Sequence, residues 1–141
     1  MLVNVSYNNP GIRKKTNELL GNPFTLKERL AMRGIGSPRL TITNTSIQVR
    51  NLLILDSNRD LCNIELRPKG IIIGFRALLE SYALLIPYYK LVLFNNTGDS
   101  LTFHKDDYFI TVATQDDSIK RFIAKIMDAK IAYDASVSPP F

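Results

Sequence analysis

The hydrophobic rhythm of the chain divides it into three parts. Residues 1–39 carry short helix-like runs, 40–113 run in apolar stretches with period-two alternation, and 116–134 switch to helical spacing. In "RLTITNTSIQVRN", Leu40 and Ile42 share one face and Thr41 and Thr43 the other. Residues 44–46 break that alternation before Ile47 and Val49 resume it, which predicts a bulged strand or a tight hairpin. "LLILDSNRD" predicts a short strand closed by a polar turn at 56–60. "LCNIELRPKGIIIGF" predicts two strands around "RPKG", whose Pro at the second and Gly at the fourth turn position suit a type I turn. "YKLVLFNNTGDSLTF" predicts a hairpin with its turn at 96–99. "HKDD" is a further polar turn, and "YFITVATQ" the last strand.

Residues 76–87 are ambiguous. Ala, Leu and Glu in "FRALLESYALLIP" favour a helical turn near 76–80, while Ile86 precedes Pro87 and is pushed toward extended backbone. Pro87 has no N–H to give a sheet ladder, so a bend or bulge is expected there, with strand segments on either side. Tyr88 and Tyr89 then point to opposite sides, so at most one is core.

The two ends of the chain carry clear helix punctuation. A basic helix is predicted over 12–20, stopped by Gly21 and Pro23. "TLKERLAMRG" opens with a capping box, Thr25 with Glu28, and closes at Gly34. Leu26 and Leu30, four apart, predict a buried face for this second helix. At the other end Ile119, Phe122, Ile123, Ile126 and Met127 form one apolar face, and Asp116 or Asp117 caps the helix. Residues 135–141, "ASVSPPF", are expected to be a flexible tail.

The strands and the C-terminal helix predict an α+β fold. It is a strongly twisted antiparallel β-sheet or partly open barrel, capped by one amphipathic helix and preceded by short N-terminal helices. At 141 residues and 45% hydrophobic, the chain has the size and core of one domain. The expected division is a basic helical extension over 1–37, the sheet and helix over 38–134, and the tail. The lone Cys62 excludes an internal disulfide and a multi-cysteine metal site. No span of about 20 apolar residues and no secretory leader stands out, so a soluble cytoplasmic protein is expected. The net charge of +5 is concentrated: 1–39 hold seven basic and two acidic groups, and the remainder is balanced.

Catalysis has little to stand on. A Cys62–His104 dyad lacks a third, orienting group, and Cys62 sits in an apolar strand. Asp106 and Asp107 beside His104 read as a solvated turn rather than a metal site. "GIG" at 34–36 lacks the strand and third glycine of a dinucleotide loop. No enzyme activity, cofactor or metal is expected.

The strand order followed by one C-terminal helix, with "LLIPY" at 84–88 in mid-sheet, resembles small bacterial pleckstrin-homology-like (PH-like, GRAM-like) domains over about residues 38–133. There is no Trp in the chain, and Phe122 is placed to fill the space that a Trp takes in eukaryotic members. The resemblance implies a non-catalytic binding module, with lipid headgroups as one ligand class. A protein partner or self-association is the leading expectation, through a strand edge near Pro87 or the N-terminal helices. Anionic membrane, held by residues 12–39 and the Arg67/Lys69 turn with Arg50 and Arg76 near, is the alternative. Nucleic acid is a third. The candidate surface is Arg13, Lys14, Lys15, Arg67, Lys69, Tyr88 and Tyr89.

Overall fold

A computed structural model describes residues 1–7, 9–54, 60–77, 79–96 and 99–137. The fold is α+β: one open eight-stranded antiparallel sheet with a long C-terminal helix. The strands are β1 (Leu2–Asn4), β2 (Leu40–Thr45), β3 (Leu61–Arg67), β4 (Gly70–Ala77), β5 (Glu80–Pro87), β6 (Val92–Asn96), β7 (Ser100–Lys105) and β8 (Tyr108–Ala113). The helices are α1 (Pro10–Leu20), α2 (Leu26–Ala31), α3 (Ile47–Leu53) and α4 (Asp117–Val137). The sheet order is β1-β5-β4-β3-β2-β8-β7-β6.

Two meanders, β2 to β5 and β6 to β8, join where β2 pairs with β8. The β2–β8 register slips between Ile42 and Asn44, which bends the sheet at the seam. The Met1 amine lies near Lys105 of β7, and its pKa is pushed down to about 5, first by burial and then by Lys105.

Between the sheet and α4 lies the main core, including Leu40, Ile64, Ile73, Leu84, Phe103 and Ile110. Asp116 caps α4 by accepting from the Ser118 N–H at 2.8 Å, and Ile119, Phe122, Ile123 and Ile126 face inward as expected. Met127, assigned to the same face, is 38% exposed. The helix also runs on to Val137, past the expected start of the tail at 135; residues 138–141 lie outside the described residues.

The residues expected as an N-terminal extension add to the sheet. β1 pairs with β5, and α1 lays Leu20 on the outer face with Val3, Ala83 and Leu85. The Thr25–Glu28 capping box forms on α2. Leu26 and Leu30, however, are each 73% exposed, so the buried face expected for this helix is absent. What holds the end of α2 is Lys125 of α4, whose Nζ donates to the Met32 carbonyl at 3.1 Å and the Arg33 carbonyl at 3.3 Å.

The alternation at 47–49 does not continue a strand. Residues 47–53 form α3, which turns Val49 and Leu53 inward at i, i+4 and leaves Ile47 69% exposed. The expected strand at 52–54 is therefore the end of that helix; residues 56–59 of the polar turn expected at 56–60 lie outside the described residues. Of the helical turn expected near 76–80, Arg76, Ala77 and Glu80 lie instead in β4 and β5, which pair up to Ala77↔Glu80, and residue 78 lies outside the described residues. Residues 97–98 of the β6–β7 turn also lie outside the described residues, while the flanking register is regular from Val92↔His104 to Asn96↔Ser100.

Candidate functional site

Pro87 ends β5, and a single 3-10 turn, Tyr88–Lys90, carries the chain to β6. The proline thus sits where no further ladder N–H is required. The turn sorts the two tyrosines as their adjacency suggested: Tyr88 is buried and Tyr89 is 60% exposed. The Tyr88 hydroxyl donates to the Arg67 carbonyl at 3.3 Å, and its ring lies 5.7 Å from that of Tyr133 on α4. Burial pushes the phenol up to about 12. Tyr88 is thus a core residue, and Tyr89 alone is left on the surface.

Of the candidate basic residues, Arg13 and Arg67 line one cleft between α1 and the sheet. Arg13, Lys14 and Lys15 are exposed along α1. The Arg67 side chain is only 10% exposed: Nε meets Glu65 Oε2 at 2.6 Å, and Nη1 donates to the Gly21 carbonyl at 2.9 Å and Asn17 Oδ1 at 3.2 Å. Its first role is to fasten the end of α1 to β3. Lys69 is exposed on the turn, and its backbone bonds to Leu20 and Tyr88. Arg50 donates to Asn44 Oδ1 at 2.7 Å from α3, and Arg76 projects from β4. A loop mouth with several free cations, as a headgroup site would need, is not assembled from these residues.

Cys62 lies in the core, and burial pushes its thiol up to about 12, the opposite of nucleophile activation. The His104 ring contacts Phe109 at 5.3 Å and Phe94 at 5.0 Å between centroids. Asp106 takes left-handed backbone in the β7–β8 turn and pairs with Lys90 at 3.3 Å. Among the described residues no three His, Cys, Asp or Glu side chains gather as metal ligands, and no helix is long and apolar enough to cross a membrane.

Two surfaces stand out instead. β6 is the last strand in the sheet order, five residues long, with Val92 48% and Phe94 50% exposed. Among the described residues no strand pairs with its outer backbone groups. On α2, exposed Leu26 and Leu30 are interleaved with Lys27 and Arg29, and Arg33 follows the helix end. The sequence pointed to the N-terminal helices and to a strand edge near Pro87; the long open edge is β6 rather than β5, which carries Pro87 and lies between β1 and β4. Comparison with protein-family models, with curated proteins and with solved structures finds no match.

Proposed function

We propose that this protein is a non-catalytic binding module that recognises another protein by accepting an extended segment along β6. The supporting observation is the open β6 edge with Val92 and Phe94 exposed at alternate positions. An added strand gains main-chain hydrogen bonds, and alternate side chains set its specificity. The opposite edge, β1, is only three residues long and offers a shorter ladder. A cytoplasmic setting and a PH-like arrangement of two meanders and a C-terminal helix belong to the same reading. The test is selection of binders from a displayed library of extended peptides, with Val92→Lys/Phe94→Lys as the blocked edge. Peptides that bind the natural chain and not the variant support the reading. Equal binding to both refutes it.

A second reading, peripheral binding to anionic membrane, draws on Leu26 and Leu30 beside Lys27 and Arg29 of α2 and Arg33 just past its end. Apolar side chains at the acyl boundary and cations at the headgroups act together in such contacts. The nucleic-acid alternative rests on the exposed Arg13, Lys14 and Lys15 of α1 alone. Vesicle flotation and a gel-shift titration in rising salt separate these two from the strand-edge reading.

A further inference from the structure

β6 ends the strand order without the features that usually protect an edge. Residues 92–96, "VLFNN", contain no proline and no charged side chain. The register with β7 is continuous from Val92↔His104 to Asn96↔Ser100, so no bulge turns this edge aside. The other edge strand, β1, is protected by its length of three residues. An uncharged, regular edge with Val92 48% and Phe94 50% exposed suits a strand of the same kind.

The strand-edge reading asks for an extended segment with apolar residues at alternate positions and a free edge of its own. β6 is itself such a segment. Two copies of one strand pair antiparallel about a two-fold axis, and the place of the axis fixes every partner. With the axis at Leu93, Val92 lies opposite Phe94 of the second copy, and Leu93 opposite its own counterpart. Apolar then meets apolar from Val92 to Phe94, with a β-branched residue against an aromatic one on each side of the axis. An axis at Phe94 would instead set Val92 against Asn96 and Leu93 against Asn95. In the Leu93 register Lys90 falls opposite Asn96, so no like charges meet. The surrounding meander is nearly balanced as well: residues 90–113 hold two lysines and three aspartates. On the face away from Phe103 and Ile110, the row Phe109, His104, Val92 continues into Phe94 of the second copy.

We propose that the occupant of the β6 edge is a second copy of this chain, paired strand to strand about a two-fold axis at Leu93. The proposal rests on the strand-edge reading and names the partner of that edge. The assembly closes at two copies, because each uses its long edge and the short β1 edges stay outside. A segment of another protein reaches the edge by displacing the second copy, so partner binding and dimerisation exclude each other.

The test is sedimentation equilibrium of the full chain from about 1 to about 300 µM, the range of a small interface. A monomer–dimer equilibrium with no larger species is expected. Raised salt should leave it in place, since no charges face each other across the axis. Val92→Lys/Phe94→Lys sets like charges opposite one another and should weaken the dimer on the order of a hundredfold. Both positions are about half exposed, so the melting temperature of the variant should be unchanged. The register has its own readout. Val92→Cys and Phe94→Cys chains, mixed and oxidised, should cross-link to each other and neither to itself, the native Cys62 being buried. A monomer at every concentration, a dimer that the lysine pair leaves intact, a dimer that salt dissolves, or cross-linking of each variant only to itself would overturn the proposal. If the chain is monomeric and displayed peptides still bind it but not the lysine variant, the second copy falls and the strand-edge reading stands. If such peptides bind both chains equally, the strand-edge reading falls too.

Discussion

Leu20 of α1 closes directly over Gly70 at the start of β4: a Cβ at position 70 would lie 2.6 Å from Leu20 Cδ2 and 2.8 Å from the Pro87 Cα. The glycine lets the helix end, the β3–β4 turn and the end of β5 meet at one point. Gly70→Ala should cost about 3 kcal/mol, as overpacking at backbone does. Thermal unfolding would show this as a fall of about 10 °C for a chain of this size. An unchanged midpoint would mean that α1 lifts from the sheet at little cost.

Tyr88 joins the same turn to α4. Tyr88→Phe should cost about 1 kcal/mol for the lost bond to the Arg67 carbonyl. Tyr88→Ala should cost about 4 kcal/mol for the cavity between the turn and Tyr133. Tyr89→Ala should stay within about 0.5 kcal/mol. Chemical denaturation of the three variants checks the order. A larger loss at Tyr89 than at Tyr88 would contradict the burial of the two rings.

Alkaline pH should unfold the protein through its buried acids. The Cys62 thiol is raised from 9.0 to about 12 and the Tyr88 phenol from 10.0 to about 12, both by burial. The unfolded chain loses these protons first, so their contribution is complete below pH 9 and declines as pH rises toward 12. The denaturation midpoint should fall over that window, and less steeply in Cys62→Ala. In the native protein at pH 8 a thiol reagent should label Cys62 only after unfolding. Rapid labelling of native protein would place the thiol at the surface.

Leu26 and Leu30 face outward, so Leu26→Ser/Leu30→Ser should change stability by no more than about 0.5 kcal/mol. If α2 docks on anionic membrane, the same pair should abolish flotation with anionic vesicles. A large loss of stability would restore the buried face that their spacing suggested.

Local chemistry was readable in the sequence, and long-range pairing was not. The Thr25 capping box, the "RPKG" turn, the Asp116 cap and, Met127 apart, the inner face of α4 each depend on residues within a turn or two, and form. α3 was misread because Ile47 and Val49 fit a strand as well as a short helix, and only the packing of Val49 with Leu53 decides. β1 is three residues long and pairs with residues about eighty positions away, so it leaves no periodic trace. The i, i+4 spacing of Leu26 and Leu30 gave a face but not a partner. On the surface, Arg67 looked like a free turn cation because its ties to Asn17 and Gly21 cross from β3 to α1. The β6 alternation was visible, and its place at the sheet edge was not.

The most direct measurement is capture from native lysate by the full chain and by its Val92→Lys/Phe94→Lys variant, washed in rising salt. A protein retained in stoichiometric amount by the natural chain, resistant to salt and lost from the variant, is the expected result. Equal capture by both chains, or capture that salt abolishes and that requires Arg13, Lys14 and Lys15, would contradict recognition along β6.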